Sequence, residues 1–216
     1  MGDLKYDAVI FDVDGTLIDT ENTILLSLQH MLLRMTGKMY RPEELYFALG
    51  IPGARALELL ELEEADKAMK MWLDYSARYE FLQKPFQGIP ETLQRLKDAG
   101  LRLGIVTSRT REEFKKSVER YDFVRKLEVI ICADDTKKHK PDAGPLLAAL
   151  EKLDLAPSRA LYVGDSTYDM ACAKAAGVHG ALALWGAHET EKIPSVYRLA
   201  DPVDITRILL QMKEVS

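Results

Sequence analysis

Asp12 and Asp14 stand two residues apart at the end of a short apolar run, in the stretch Ala8 to Leu17 (AVIFDVDGTL). A run this short and this apolar suits a strand buried on both faces, as in a parallel sheet. Asp12 falls where that strand ends. Side chains alternate along an extended chain, so the two carboxylates are expected on one side. They repel unless something positive lies between them, and a hard divalent cation bound through oxygens meets that need. Gly15 and the hydroxyl of Thr16 follow directly. Asp12 as a helix cap, with Asp14-Gly15 as a turn, would account for this stretch taken alone.

Three more apolar runs end in the same way. Arg102 to Thr107 (RLGIVT) leads to Thr107, Ser108 and Arg109. Leu127 to Ala133 (LEVIICA) leads to Asp134 and Asp135, then Lys137, Lys138 and Lys140. Ala160 to Gly164 (ALYVG) leads to Asp165, Ser166 and Asp169. In an open parallel sheet, ligands bind beyond the carboxyl ends of the strands. Any one of these endings would pass as a turn; all four together point to one polar site. A carboxylate is ionised near neutral pH and can attack without a separate base. Attack on an anionic phosphoryl group needs charge compensation, which a metal between Asp12 and Asp165 and the ammonium of Lys140 would supply. Thr16, Thr107 and Ser108 are candidates to hold phosphate oxygens. Asp14 is placed to protonate the leaving oxygen and later to activate water. The acid role needs Asp14 protonated at the start of the cycle.

The elements that must position these groups follow from periodicity. Glu21 to Met35 carries Ile24, Leu25, Leu28, Met31, Leu32 and Met35, a helical stripe that Gly37 stops. Pro42-Glu43-Glu44 reads as the first turn of another helix. After the break Gly50-Ile51-Pro52-Gly53, Ala54–Leu62 and Glu64–Leu82 read as two more helices. No strand pattern occurs between Thr20 and Gln83, and Pro85 with Gly88-Ile89-Pro90 marks the boundary. Helices over Glu91–Ala99, Arg111–Tyr121, Asp142–Leu153, Tyr168–Ala176 and Ile205–Met212 then alternate with the strands, the last strand being Gly180–Trp185. This grammar predicts an α/β fold, a Rossmann-like, mostly parallel sheet with helices on both faces. The helical block interrupts it, so residues 1–19 and 85–216 form one discontinuous domain and residues 20–84 an inserted all-helical one.

Composition bounds the rest. The chain has 216 residues, 47% of them hydrophobic and 29% charged, as in an ordinary globular protein. A net charge of −5 gives no footprint for nucleic acid. No apolar stretch is long enough to cross a bilayer, and the N-terminus shows no signal-peptide pattern. Cys132 and Cys172 lie in apolar surroundings and read as buried free thiols, which fits a reducing cytoplasm. His30, His139, His179 and His188 show no metal-ligand spacing. Nothing separates monomer from dimer.

DVDGTL at Asp12–Leu17, VTS at Val106–Ser108, HKP at His139–Pro141 and GDSTYD at Gly164–Asp169 resemble the four ordered motifs of the haloacid dehalogenase superfamily. The resemblance spans almost the whole core and implies Asp12 as a nucleophile that forms an aspartyl-phosphate. It implies Asp14 as acid/base with its main-chain carbonyl on the metal, Thr107 and Ser108 as phosphate binders, and Lys140 as the conserved cation. Asp165 matches the metal ligand, Asp169 a second acid at the metal, and the usual ion is Mg²⁺. The helical insert resembles the type 1 cap of the phosphoglycolate phosphatase-like and β-phosphoglucomutase-like branch. Ser108 and Arg109 depart from the Asn-Lys common there. The implied activity is a Mg²⁺-dependent phosphatase for a small phosphorylated metabolite of the phosphoglycolate type. A phosphosugar mutase, a pyrophosphatase or nucleotidase, and a non-catalytic binder of a phosphorylated ligand are the alternatives. Substrate choice is expected in the cap, with Gly50–Arg55 as the loop and Arg55 as the candidate contact. The cap is expected to open and close about linkers near Asp19–Thr20 and Lys84–Gly88.

Overall fold

The computed structural model describes residues 5–210. The strands are β1 (Ala8–Phe11), β2 (Ile18–Asp19), β3 (Lys84–Pro85), β4 (Arg102–Val106), β5 (Val129–Ile131), β6 (Ala160–Gly164), β7 (His179–Ala183) and β8 (Tyr197–Leu199). The helices are α1 (Glu21–Thr36), α2 (Gly53–Leu59), α3 (Ala65–Tyr79), α4 (Ile89–Asp98), α5 (Arg111–Ser117), α6 (Gly144–Leu153), α7 (Thr167–Ala176) and α8 (Val203–Leu210). Six strands form one sheet in the order β5-β4-β1-β6-β7-β8, with every neighbouring pair parallel. β1 lies between β4 and β6, where the strand order reverses. That is the switch point at which an open α/β sheet leaves a crevice.

The alternation of β1 builds two cores. Val9 and Phe11 face one side with Leu103, Ile105, Leu161 and Val163, packed under Leu93 and Leu96 of α4 and Ile205 and Leu209 of α8. Ala8 and Ile10 face the other side with Tyr162, under Leu146 and Leu150 of α6 and Ala173 of α7. All four β1 residues are fully buried, so a strand with no polar face has a helical layer on each side.

The helical block has a core of its own. Leu28, Met31 and Leu32 of α1 pack with Leu57 of α2 and Ala68 and Trp72 of α3, and Met35, Met69 and Met71 close its edge. Trp72 Nε1 donates to Ser27 Oγ at 2.9 Å, which satisfies a buried polar pair inside this cluster. Chain entry and exit are tied together by the antiparallel ribbon β2–β3, which pairs Ile18 with Pro85 and Asp19 with Lys84.

Some expected elements differ. Pro42–Ala48 is a run of 3-10 turns, not an α-helix. The helix expected to reach Leu82 ends at Tyr79 and continues as a 3-10 turn over Glu80–Leu82. α5 stops at Ser117, short of Tyr121. The sheet gains β8, three residues with Arg198 at their centre, too short and too polar to show a strand period. The ribbon is two residues a side and equally silent. The last residues of the helix expected to reach Met212 lie outside the described residues. No helix among the described residues is long and apolar enough to cross a membrane.

Candidate active site

β1, β4 and β6 end side by side, and each delivers its polar residue to the same rim. Asp12 extends the ladder past β1, its N–H donating to Val163 O at 2.9 Å. Thr107 does the same past β4, with its N–H on Ile131 O at 3.0 Å. Asp165 follows β6. Lys140, from the loop before α6, reaches in from the side. Its Nζ donates to Asp12 Oδ1 and Asp169 Oδ1, both at 2.7 Å, with its side chain 2% exposed. Burial alone would discharge Lys140, but the two carboxylates overturn that and raise its pKa.

Asp12 keeps one oxygen free. Oδ1 takes the Lys140 bond, and Oδ2 accepts no protein donor among the described residues. Burial pushes the Asp12 carboxyl up to about 7; Lys140 opposes that shift, while Asp169 and Asp14 add to it. Asp165 is raised well above the usual range, by burial and then by Asp169 and Asp12. Carboxylate oxygens of Asp12, Asp165 and Asp169 lie within 4.8 Å of one another. A crowded, buried set of hard oxygens with both free acids pushed toward protonation fits a small divalent ion, whose charge would restore the ionised forms.

Asp169 is in that cluster, but its lone pairs are spent. Oδ1 accepts from Lys140 and from Tyr162 OH at 2.9 Å; Oδ2 accepts from the N–H of Ser166 at 3.0 Å and its Oγ at 2.5 Å. A carboxylate has about four acceptor positions, so this residue anchors Lys140 and the start of α7. Ser166 caps that helix in return, accepting from the Asp169 N–H. Thr16 also departs from the expected role. Its single hydroxyl proton goes to Asp165 Oδ1 at 2.8 Å, so Thr16 steadies a metal-type carboxylate and has no donor left for phosphate. Thr107 keeps its proton, its Oγ1 only accepting from Arg109 N–H at 3.2 Å. Ser108 Oγ donates to Gly50 O, in the loop before α2, at 3.2 Å.

Asp14 is held by a residue with no role in the sequence reading. Arg109 Nε and Nη2 donate to its two oxygens at 2.8 and 2.6 Å, and Arg109 Nη1 is anchored on Ser117. Burial works against charge on Asp14, but Arg109, with a bond from Thr20, outweighs it and lowers the carboxyl below its ordinary range. The acid role in the first half of a cycle needs the opposite protonation state. The one sequence signal was Arg109 itself, a cation directly after a phosphate-binding pattern. Two further supports were equally unforeseen. Trp185 Nε1 donates to Thr16 O at 2.9 Å. Gly186 lies so close to the Asp14-Gly15 turn that an added Cβ would fall 1.8 Å from Gly15 O. Gly15 needs its own freedom, with φ at +75° and Asp165 2.2 Å from where a Cβ would stand.

The helical block closes over this rim. A cavity of about 200 Å³ opens beside Asp14 and Asp165 and runs between the start of α1 and the loop after β7. Across its edge His188 stacks on Tyr46 with ring centroids 4.2 Å apart, and its Nε2 lies 2.9 Å from Glu21 Oε2. Arg55 is not at the cavity: its guanidinium turns along α2 to Glu58 at 2.7 Å, with both side chains well exposed.

A family profile described as haloacid dehalogenase-like hydrolase matches residues 9–183. The chain is 32% identical to the phosphoglycolate phosphatase of Aquifex aeolicus over 93% of its own length and 95% of the relative's. It is 30% identical to the pyrophosphatase PpaX of Bacillus velezensis, covering 96% of itself and 98% of that protein. Among solved structures, a Lactobacillus plantarum protein that carries a provisional phosphoglycolate phosphatase name superposes with a TM-score of 0.85 at 34% identity, covering 94% of this chain and 99% of that one.

Proposed function

The chain belongs to the haloacid dehalogenase-like hydrolases, and from that premise we infer a Mg²⁺-dependent phosphatase that hydrolyses a small phosphomonoester through a phosphoryl group carried on Asp12. The observation that carries the reading is the division of labour on Asp12. Lys140 holds Oδ1 at 2.7 Å, and Oδ2 has no protein donor among the described residues, which suits it to attack. Asp12 and Asp165 would hold the ion, with Asp169 behind them fixing Lys140. When bound, Mg²⁺ would supply positive charge that keeps both acids ionised and offsets the phosphoryl charge.

In the first half, Oδ2 of Asp12 forms the bond to phosphorus as the bond to the leaving oxygen breaks and that oxygen takes a proton from the Asp14 carboxyl. The Thr107 hydroxyl and the Lys140 ammonium hold the equatorial oxygens. In the second half, Asp14 takes a proton from water as the water oxygen attacks phosphorus, and Asp12 is released. Arg109 suits Asp14 to that second task, because a fork on both oxygens stabilises the carboxylate. Service as the acid in the first half requires Arg109 to yield one oxygen. Residues 20–84 act as a cap that excludes water. A cavity of about 200 Å³, below the usual 300–1,000 Å³ of ligand pockets, favours a leaving group of a few heavy atoms.

The test is release of inorganic phosphate from a panel of phosphate esters by purified protein, with and without Mg²⁺. Turnover that needs Mg²⁺ and is lost in Asp12→Asn supports the reading. Turnover unaffected by either change overturns it, and interconversion of β-glucose 1-phosphate without phosphate release would replace it with a mutase.

A further inference from the structure

The space beside Asp14 is where a leaving group must sit, because Asp14 is the group that exchanges protons there. Its lining beyond the catalytic rim includes the polar run Asp19, Thr20, Glu21 and Asn22, the apolar Phe86 and Trp185, and Ile24, Leu49 and Gly50 of the helical block. No lysine, arginine or histidine lines it among the described residues. The nearby cations are committed elsewhere. Arg109 is forked on Asp14, Lys140 sits between Asp12 and Asp169, and Arg55 is turned to Glu58. Lys84, opposite Asp19 in the ribbon, is exposed and outside the lining. No described residue is seen to donate to the Asp19 carboxylate, and Glu21 meets His188 at the cavity edge.

This wall offers acceptors and apolar faces but no positive charge. A leaving group with its own carboxylate or phosphate would bring a second anion against the half-exposed carboxylates of Asp19 and Glu21, with no cationic side chain in the lining to meet it. A leaving group with hydroxyls or an ammonium would find acceptors in Asp19, Glu21 and the Asn22 carbonyl, and would lay its C–H faces on Trp185 and Phe86.

We propose that the substrate is a phosphomonoester of a small, non-anionic alcohol bearing hydroxyl or amino groups, selected by the acceptor wall of Asp19, Glu21 and Asn22. This rests on the phosphomonoesterase reading above. It sets the chain apart from phosphoglycolate and pyrophosphate, which appear in the names of its relatives and whose leaving groups are anions.

Three esters of nearly equal size isolate the charge: phosphoglycolate, 2-hydroxyethyl phosphate and O-phosphoethanolamine. Each is assayed with Mg²⁺ at pH 7.5 and fixed ionic strength. The expected kcat/KM for the hydroxyethyl and aminoethyl esters exceeds that for phosphoglycolate at least tenfold. Glu21→Lys should shift the ratio of phosphoglycolate to O-phosphoethanolamine upward at least tenfold, and Glu21→Gln and Asp19→Asn by smaller factors in the same direction. A ratio within one variant is insensitive to partial loss of folded protein, so it remains readable where a variant is less stable. Phosphoglycolate hydrolysed as well as its neutral counterpart, or a ratio unmoved in Glu21→Lys, overturns the proposal and leaves the phosphatase reading standing. No hydrolysis of any ester, with 4-nitrophenyl phosphate also inert, overturns both.

Discussion

Lys140→Met tests the electrostatic balance on which the site depends. Lys140 is buried to 2% exposure and bonds two carboxylates at 2.7 Å each. Removing one partner of a buried ion pair costs about 3–5 kcal/mol. Here there is an escape, because Asp12 already sits at about 7. Keeping it protonated at pH 7.5 costs only about 0.7 kcal/mol, at about 1.4 kcal/mol per pH unit. The net loss in metal-free protein should therefore be about 2–4 kcal/mol at pH 7.5, or roughly 5–15 °C in Tm at 2–4 °C per kcal/mol for a chain of this size. The sign with pH is fixed. The variant loses the ammonium that opposes protonation of Asp12 and so raises that folded-state pKa further above its unfolded value. Its deficit is then smallest at low pH and grows as pH rises above about 7. Urea and thermal unfolding at pH 5.5 and 7.5 would measure it. In an Asp12→Asn background the same substitution should cost less by about 0.7 kcal/mol at pH 7.5, the protonation cost that Asp12 no longer carries. A loss under 1 kcal/mol at pH 7.5, or a deficit equal at both pH values, would refute the reasoning. Phosphatase activity should fall by about 10²–10³, the usual effect of deleting a transition-state charge partner.

Other outcomes follow from the same geometry. EDTA should abolish turnover and Mg²⁺ restore it; Mg²⁺ at 100 times its Kd should add about 2.7 kcal/mol of stability. At a fixed Mg²⁺ concentration the gain should be larger at pH 7.5 than at pH 5.5, because the raised carboxyls of Asp12 and Asp165 must lose protons to bind, and Asp165→Asn should erase it in a thermal shift assay. Gly186→Ala places a Cβ 1.8 Å from Gly15 O, so the turn carrying Asp14 must move; kcat should fall at least about tenfold with circular dichroism unchanged, and wild-type kinetics would contradict the contact. Ser166→Ala removes the α7 cap and should cost about 1 kcal/mol by urea unfolding.

The strand ends at Asp12, Thr107 and Asp165 were readable because the chemistry is written into short contiguous strings, whereas Asp134 and Asp135 after β5 turn to Arg111 and stay outside the site. An apolar run followed at once by Asp12, Thr107 or Asp165 has only one arrangement in a parallel sheet: the polar group at the carboxyl rim. The 3.6-residue stripe of α1 and the absence of any strand period from Thr20 to Gln83 likewise announced the helical insert. Short elements were not legible. β8 and the β2–β3 ribbon are held by pairing with neighbours, and a pair or triplet of residues carries no measurable period. Helix ends shifted for the same reason: α5 stops at Ser117, whose hydroxyl bonds back to Glu113 O and meets Arg109.

Sequence by itself determined which residues could act, in what order the strands and helices come, and that Asp12, Lys140 and Asp165 belong to one pattern. Tertiary structure alone decided what each side chain is bonded to. It gave the Thr16 proton to Asp165, spent every lone pair of Asp169 on Lys140, Tyr162 and Ser166, clamped Asp14 with Arg109, and turned Arg55 away from the cavity. Residue type fixes how many hydrogen bonds a group can make; which of them it does make depends on distances between segments as much as 169 positions apart in this site, and only the folded chain sets those.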